Sequence, residues 1–280
     1  MISKLVLGSA QWGLSYGINN IDGIPSDNIL NNILSIAQKN KITHIDTASS
    51  YGNAEERIGN IGLGRFNIIT KIGSNNADHN VKEFIKKSLT RTKISSLYAC
   101  LFHNYKDLLY KPFLWDDLIL AKREGFIKKI GFSLYYPHEL KKLLELKYFP
   151  DIIQVPYNLL DRKFEPFIEN LSKKGVEIHV RSIFLQGLLL NKKLRKNIVF
   201  KNEKLIWKYF DNWLLENKFT PIEACISHIN SNQFIDKIIV GIESSNQLLE
   251  IIKAFEVPAK KIPRPSVDFN EELFNPSNWN

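Results

Sequence analysis

The sequence predicts an α/β fold in which eight parallel strands alternate with helices and close into a single-domain (β/α)8 TIM barrel. One reason is the regular alternation of short apolar runs with longer segments of helical periodicity along the chain. The other is size, because 280 residues of which 44% are hydrophobic match the length and apolar content of one such barrel. The expected domain therefore spans residues 1–280, with 263–280 as a C-terminal tail.

The strands are predicted from short apolar runs that are bounded by polar or turn-forming residues. In chain order they are Leu5–Leu7, Ile42–Ile45, Phe66–Ile69, Leu97–Phe102, Lys129–Phe132, Ile152–Val155, Val176–Val180 and Ile238–Val240. Parallel neighbours need a crossover connection, which is usually a helix. Helices are therefore expected between these runs.

Helical spacing of apolar residues follows the first, third, fifth and eighth predicted strands. The periodic residues are Ile29, Ile33 and Ala37; Val81, Phe84, Ile85 and Leu89; Leu140, Leu143 and Leu144; and Leu248, Ile251, Ile252 and Phe255. Ser26 and Pro137 are residue types that commonly begin helices. We expect them to begin the helices after the first and fifth strands.

A doubly wound open sheet is the alternative architecture for alternating strands and helices. It would require a glycine-rich phosphate turn of the pattern G-x-G-x-x-G after the first strand. The chain instead reads Gly8-Ser-Ala-Gln-Trp12-Gly13 at that point, with a different glycine spacing. The closed barrel is therefore favoured.

The formal net charge of +9 raises the question of a nucleic-acid partner, because basic surfaces attract phosphate backbones. The lysines are spread over amphipathic segments, as at Lys82, Lys86, Lys141 and Lys142. This distribution is typical of solvated helix surfaces, so no nucleic-acid partner is expected.

Cysteine usage and hydropathy indicate the compartment. Cys100 and Cys225 are the only cysteines and lack C-x-x-C spacing, which favours a reducing environment over a disulfide framework. No histidine pair or acidic cluster has metal-ligand spacing, so no metal is expected. The sequence has no apolar run of about 18 residues and no secretion leader. We expect a cytoplasmic location and no membrane partner.

Seven residues fall at or just after the end of a predicted strand, and all but one, a glycine, have polar side chains. They are Asp46, Lys71, His103, Ser133, Gln154, Arg181 and Gly241. The carboxyl ends of barrel strands meet at one face, where active sites of such barrels form. A single polar site is therefore predicted at this face.

Four residues of this region have the chemistry that carbonyl reduction needs. A proton must reach the carbonyl oxygen while a hydride reaches its carbon, and Tyr51 can supply the proton if its pKa is lowered toward neutrality. The ammonium of Lys71 favours the phenolate, and Asp46 can hold that ammonium in place. His103 can donate a hydrogen bond to the substrate oxygen. Each residue alone fits a structural role, such as a turn cap or a buried histidine, and their combination favours the catalytic one.

The sequence resembles the aldo-keto reductase family, whose catalytic Asp, Tyr, Lys and His occur in the order and context of Asp46, Tyr51, Lys71 and His103. Further resembling segments are Gly131-Phe-Ser133, Gln154-Val-Pro-Tyr157-Asn158 and Gln186-Gly187-Leu188-Leu189. The resemblance implies an oxidoreductase that reduces an aldehyde or ketone, including sugar-derived ones, with NAD(P)H and with Tyr51 as general acid. Two alternatives stay open. One is internal redox or elimination on the same fold without net cofactor consumption, and the other is a non-catalytic dinucleotide-sensing subunit that binds a partner, like the potassium-channel β subunits.

The resemblance also implies a nicotinamide dinucleotide that lies across the barrel top. Its expected contacts are Ser133 and Gln154 at the carboxamide, Arg181 and Ser182 near the nicotinamide, and Gly241, Ser244, Ser245 and Gln247 at the phosphate end. Backbone N–H groups at a helix start favour anions there. NADP(H) is expected ahead of NAD(H) from the family's habit. However, Gly241 and Gln247 stand where NADPH-selective relatives carry Lys and Arg, and Glu243 is nearby, so NAD(H) stays open.

Substrate contacts are expected from Tyr51, His103 and Trp12, which follows the first strand. For Trp12, a packed aromatic at the barrel rim is an equally favoured alternative. The stretch 188–202 is expected to form a long loop that shapes substrate access, and the tail 263–280 is expected to lie over the barrel.

Overall fold

The computed structural model describes residues 2–62, 66–73, 80–195, 204–258, 262, 263, 265, 275 and 279. The strands are β1 (Leu5–Gly8), β2 (His44–Asp46), β3 (Asn67–Ile72), β4 (Leu97–Phe102), β5 (Ile127–Ser133), β6 (Ile152–Pro156), β7 (Glu177–Arg181) and β8 (Lys237–Gly241). Each strand pairs in parallel with its sequence neighbours, and β1 also pairs with β8, so the sheet is a closed barrel. The predicted (β/α)8 TIM barrel is confirmed.

Helices surround the barrel between the strands. They are α1 (Ala10–Gly13), α2 (Asp27–Lys39), α3 (Ala54–Asn60), α4 (Val81–Thr92), α5 (Lys106–Tyr110), α6 (Phe113–Arg123), α7 (Pro137–Glu145), α8 (Glu165–Lys173), α9 (Lys192–Arg195), α10 (Lys204–Glu216), α11 (Pro221–Asn230) and α12 (Ser245–Glu256). Short 3-10 turns occupy Ile2–Lys4 and Leu185–Gly187. The four helices expected from apolar spacing are present as α2, α4, α7 and α12.

The two predicted helix starts are found in the structure. Ser26 precedes α2, and its side chain accepts a hydrogen bond from the backbone N–H of Ile29 at 3.4 Å. Pro137 occupies the first turn of α7, where its missing N–H costs nothing. Local sequence therefore determines where these two helices begin.

The strands differ from the predicted runs by a few residues at their ends. β3 continues to Ile72, because Lys71 pairs with Leu101 and Ile72 pairs with Phe102 of β4. Lys71 thus lies within the strand rather than at its end. Backbone pairing continues into polar residues, which an apolar run cannot indicate.

The apolar core has two parts on opposite sides of the sheet. A small cluster inside the barrel contains Val6, Ile69, Ala99, Leu101, Ile152 and Ile239. A much larger cluster fills the layer between the sheet and the helices. The barrel interior is thus packed by side chains, and a cavity can form only at its mouth.

A polar network lies at the amino-terminal end of the barrel. The rings of His44 and Tyr98 meet edge to face with centroids 4.7 Å apart. Tyr98 Oη donates to Glu177 Oε1 at 2.7 Å, and Lys129 Nζ forms an ion pair with Glu177 at 3.0 Å. His179 is fully buried beside them. This end of the barrel is held by interactions among its own side chains.

Parts of the predicted access loop and tail are described. The loop contains α9, and residues 196–202 lie outside the described residues. In the tail, Ile262 and Trp279 pack against the main core, and Asn275 Nδ2 donates to Tyr136 Oη at 3.2 Å. The remaining residues of 263–280, apart from 263 and 265, lie outside the description. Among the described helices, none has the length and hydropathy that a membrane crossing requires.

Candidate active site

Four polar side chains from three neighbouring βα units line one cavity at the carboxyl ends of the strands. Asp46 ends β2, Lys71 lies near the end of β3, His103 follows β4, and Tyr51 lies in the loop between β2 and α3. The cavity has a volume of about 410 Å³. Asp46 and Lys71 are 3% and 1% exposed, so their charges are largely removed from water.

Lys71 is the centre of the hydrogen-bond network. Its Nζ donates to Asp46 Oδ2 at 2.5 Å and to the carbonyl oxygen of Thr47 at 3.0 Å. The same nitrogen lies 3.4 Å from Tyr51 Oη. The rings of Tyr51 and His103 face each other edge to face with centroids 6.1 Å apart. A phenol, an ammonium, a carboxylate and an imidazole are thus within one contact network.

The loop that carries Tyr51 is fixed by a close approach of two glycines. A Cβ atom at Gly13 would lie 2.0 Å from the carbonyl oxygen of Tyr51, and one at Gly52 would lie 2.2 Å from the carbonyl oxygen of Gly13. Gly52 also has φ of +55°, which favours glycine. The backbones of α1 and the β2–α3 loop therefore pack against each other directly. This contact sets the position of the Tyr51 backbone.

The second oxygen of Asp46 is held by Gln154. Gln154 Nε2 donates to Asp46 Oδ1 at 2.7 Å, and Ser133 Oγ donates to Gln154 Oε1 at 3.4 Å. All three residues are buried and line the cavity. The structure thus brings Ser133 and Gln154, two of the predicted cofactor contacts, next to Asp46.

Burial and neighbouring charge determine the protonation of the site. Burial, followed by the charges of Lys71 and Arg181, lowers the pKa of His103 to about 3, so the imidazole is neutral at neutral pH. Burial alone would lower the pKa of Lys71, but Asp46 and Tyr51 outweigh it and raise this pKa. Lys71 therefore stays an ammonium.

The pKa of Tyr51 is raised, whereas the sequence predicted a lowered value. Burial is the largest cause and raises the pKa, Lys71 opposes it, and Asp46 adds to the increase. The predicted effect of Lys71 is present, but the loss of hydration outweighs it. The phenol is consequently protonated at neutral pH and able to donate its proton.

Arg181 ends β7 and places a cation in the cavity. Its guanidinium lies over the ring of Tyr135, 4.2 Å from the centroid. Arg181 Nη2 donates to the carbonyl oxygen of Leu134 at 3.1 Å, and Nη1 donates to Ser182 Oγ at 3.4 Å. Within the described residues Arg181 has no ion-pair partner. Ser182 lines the cavity as well, with φ of +59°.

The predicted phosphate-end residues divide into two groups. Gly241 and Gln247 line the cavity together with Glu243 and Glu250, which follow β8. Ser244 and Ser245 begin α12 and are not among the lining residues. Ser244 instead caps the helix, its Oγ accepting from the backbone N–H of Gln247 at 3.3 Å.

Trp12 does not line the cavity. Its side chain is fully buried in the main core, and Nε1 donates to the carbonyl oxygen of Ile242 at 2.8 Å. This placement matches the packed-aromatic alternative that the sequence left open, and it gives no contact surface for a substrate.

The structure adds lining residues that sequence reasoning did not select. Gln186 has φ of +50°, and its side chain bonds both Tyr16 Oη and the backbone N–H of Ile18. It thereby joins the loops after β7 and β1 across the cavity mouth. Tyr135 was missed although it follows β5 by only two residues, a signal comparable to that of Ser133.

Two buried polar atoms in the cavity lack partners. Ser9 Oγ belongs to a fully buried residue, and neither it nor Asn20 Nδ2 has a hydrogen-bond partner among the described residues. Unsatisfied buried polar groups are rare unless a ligand or water completes them. The cavity is therefore suited to a polar ligand. No group of three or more His, Cys, Asp or Glu residues that could hold a metal occurs within the part of the chain that the structure describes.

Comparisons with known proteins agree with this fold. The glyoxal reductase of Bacillus subtilis is 26% identical over 246 residues, covering 82% of this chain and 84% of that relative. An aldo-keto reductase from Bacillus halodurans in its holo form superposes with a TM-score of 0.73 at 19% identity, covering 92% of this chain and 88% of the other. The glycerol dehydrogenase of Gluconobacter oxydans gives 0.71 at 17% identity with the same coverages. These two structural likenesses show the barrel fold. The family model described as "Aldo/keto reductase family" matches residues 4–264, from before β1 to beyond α12. This protein therefore belongs to the aldo/keto reductase family.

Proposed function

We propose that this protein reduces an aldehyde or ketone to an alcohol, with a nicotinamide dinucleotide as reductant and Tyr51 as general acid. As a member of its family it is an oxidoreductase that acts on carbonyl or alcohol groups. The observation that carries the proposal is the 3.4 Å approach of Tyr51 Oη to Lys71 Nζ, with Asp46 bound to the same nitrogen. This arrangement supports proton donation from the phenol at the cavity floor.

The lining residues fit the dinucleotide that the family implies. Gln154 and Ser133 offer amide and hydroxyl groups beside the catalytic residues, and Ser9 Oγ and Asn20 Nδ2 have unused hydrogen-bonding capacity. When bound, the reduced nicotinamide supplies the hydride. NADP(H) is expected to be preferred over NAD(H), because the family commonly uses NADP(H). This cofactor preference stays a prediction.

The proposed mechanism assigns each proton to a chain residue. The substrate oxygen accepts hydrogen bonds from Tyr51 Oη and from the neutral imidazole of His103, whose depressed pKa excludes it as the acid near pH 7. As the carbonyl carbon receives the hydride, the Tyr51 proton moves to the oxygen and gives the alcohol. Lys71 stabilises the resulting phenolate, and Asp46 keeps Lys71 charged and in place.

The substrate class follows from the cavity and the relatives. The substrate carbonyl must lie beside Tyr51 and His103, in the same cavity that would receive the dinucleotide. The name of the relative from Bacillus subtilis suggests glyoxal, and short sugar-derived aldehydes have the same reactive group. We expect small aliphatic or sugar-derived aldehydes and ketones among the substrates.

The test is consumption of NADH or NADPH by the purified protein in the presence of glyoxal, short aldehydes, aldoses and ketoses, each supplied separately. We expect oxidation of the cofactor that depends on both carbonyl and enzyme. Tight dinucleotide binding without turnover of any carbonyl would contradict the proposal. That result would favour internal redox chemistry or a partner-binding role.

A cytoplasmic location is proposed on the cysteine chemistry. Cys100 and Cys225 are both free and buried in the apolar core, and burial raises the pKa of each thiol. Such thiols are compatible with a reducing compartment. Fractionation of the native cells with antibody detection tests this location.

A further inference from the structure

We infer that Glu243 makes this site select NAD(H) over NADP(H), an inference that rests on the proposed dinucleotide-dependent reduction. It reverses the order that the family's habit suggests.

The cavity fixes which end of a dinucleotide lies near Glu243. The hydride-donating ring must lie beside Tyr51 and His103, because the proton reaches the same carbonyl there. From these residues the cavity continues past β1 to the loop between β8 and α12, where Gly241 and Glu243 line it. The adenosine end of an extended dinucleotide would therefore lie at this loop.

The charges of the lining residues are opposite at the two ends. Lys71 and Arg181 are the cations among the described lining residues, and both lie at the catalytic end. Glu243 and Glu250 line the β8–α12 end, where none of the described lining residues is a lysine or arginine. A 2′-phosphate would add about two negative charges next to these carboxylates without a counter-charge.

The backbone at this end is partly hydrogen-bonded within the chain. Gln247 Oε1 accepts from the N–H groups of Glu243 at 2.9 Å and Ser244 at 3.2 Å, and Ser244 Oγ accepts from that of Gln247 at 3.3 Å. A helix start offers its first N–H groups to an anion. The capping side chains occupy part of this set, and a phosphate at those groups would have to displace Gln247.

The end of β8 carries no side chain that could reach a phosphate, because Gly241 stands there. The amide end of Gln11 lies 2.7 Å from where a Cβ atom at Gly241 would be, so this flexible side chain occupies the adjacent space. The local charge therefore disfavours a 2′-phosphate.

A ribose with a free 2′-hydroxyl has the complementary chemistry. Its O–H groups can donate to the carboxylate of Glu243, and hydrogen bonds to an ionised acceptor are about twice as strong as neutral ones. Glu243 is half-buried, and burial raises its pKa, a hydrogen bond with the Gln247 side chain opposes this rise, and the nearby charge of Asp22 adds to it. Asp22 therefore adds to the negative potential that a 2′-phosphate would meet.

The experiment is equilibrium titration of the full-length protein with NADH and NADPH separately, and with ADP and its 2′-phosphorylated form, by intrinsic fluorescence of the five tryptophans. We expect NADH to bind at least about 10-fold more tightly than NADPH. ADP should likewise bind more tightly than its 2′-phosphorylated form. In Glu243→Gln the dissociation constants of NADH and NADPH should differ by no more than about threefold. Glu256→Gln, which removes the same charge from the exposed end of α12, should keep the wild-type ratio.

Equal or tighter binding of NADPH by the wild type, an unchanged ratio in Glu243→Gln, or binding of neither dinucleotide would overturn the inference. These outcomes are separate from those of the reductase proposal. A clear NADH preference without carbonyl turnover would leave the inference standing and contradict the proposed reduction. Carbonyl turnover with equal affinity for NADH and NADPH would support the proposed reduction and overturn the inference about Glu243.

Discussion

At the scale of single residues, protonation separates the roles of Tyr51 and His103. The phenol holds its proton at neutral pH, because burial raises its pKa. The imidazole is neutral, because burial and two nearby cations lower its pKa to about 3. Only Tyr51 of this pair can give up a proton near pH 7 and leave an anion that Lys71 stabilises.

Tyr51→Phe tests this assignment, because it removes the acid and keeps the ring. We expect kcat to fall by a factor of about 10² or more, while dinucleotide affinity is retained. The measurement combines steady-state reduction with fluorescence titration. Tyr110→Phe, at an exposed position of α5, serves as the matched control. Near-normal turnover of Tyr51→Phe would rule out Tyr51 as the acid.

Lys71→Met tests the coupling between the ammonium and the phenol. Lys71 lowers the pKa of Tyr51, so its removal should raise that pKa further. Reduction needs the protonated phenol, and its alkaline decline should therefore move to higher pH while kcat falls about 10²-fold. The variant leaves Asp46 buried without its counter-ion, so Asp46→Asn/Lys71→Met serves as the control for folding. An alkaline limb at the wild-type pH would contradict the coupling.

The sequence predicted that Asp46, Lys71 and His103 would share one site, because their positions depend on strand order; their catalytic roles stay a prediction. Each lies at or near the end of one of three neighbouring strands, and a parallel barrel must bring such ends together. Two properties could not be predicted. The pKa of Tyr51 depends on burial, and the role of Trp12 depends on which way its ring points in the finished core.

At the scale of elements, the structure contains helices that apolar spacing did not indicate. α3 has only seven residues, too short for a clear pattern, and a proline occupies the first turn of α8. Capping residues were a better signal where they occurred, as Ser26 and Pro137 show. The contact between α1 and the β2–α3 loop could not be predicted, because it joins two glycines 39 positions apart in the chain.

Gly13→Ala tests whether this contact positions Tyr51. The added methyl group would lie 2.0 Å from the carbonyl oxygen of Tyr51, so the loop must shift. A displacement of about 1 Å in an active site can lower the rate about 10²-fold. We expect a fall in kcat at nearly unchanged dinucleotide affinity, measured together with the melting temperature.

Gly73→Ala is the matched control for Gly13→Ala. A Cβ atom at Gly73 would lie 3.8 Å from the Cβ atom of Ser50, which is ordinary contact in the same loop region. This variant should keep both activity and stability. Equal kinetic effects of the two substitutions would show that the glycine contact does not position Tyr51.

At the scale of the whole molecule, the polar groups at the two ends of the barrel have different surroundings. At the amino-terminal end, Glu177 is bonded to Tyr98 and Lys129, while His44 Nε2 and His179 Nδ1 have no hydrogen-bond partner among the described residues. At the carboxyl-terminal end, Ser9 Oγ and Asn20 Nδ2 also lack a partner there, and both residues line the cavity. The unpartnered groups at the carboxyl-terminal end are thus the ones placed to meet a ligand in the cavity.

Both ends nevertheless make folding sensitive to acid. Burial, with nearby cations, lowers the pKa of His44 and of His103 to about 3, well below the ordinary value of 6.5. A depressed pKa in the folded state means that the unfolded chain takes up protons first as the pH falls. The stability from these histidines is therefore complete above pH 6.5 and is lost between 6.5 and 3. Glu177, with its pKa lowered to about 2, adds a further loss below 4.5.

The expected result is a melting temperature that decreases steadily below pH 6.5. At pH 5 the free energy of unfolding should have fallen by about 2 kcal/mol for each of His44 and His103. His44→Gln removes one of these groups, so its stability should depend less on pH between 7 and 5 than that of the wild type. His138→Gln, at an exposed position, should follow the wild-type curve. Thermal unfolding across this range measures all three proteins. If His44→Gln and the wild type lost stability in parallel, the buried neutral state of His44 would not be what links folding to pH.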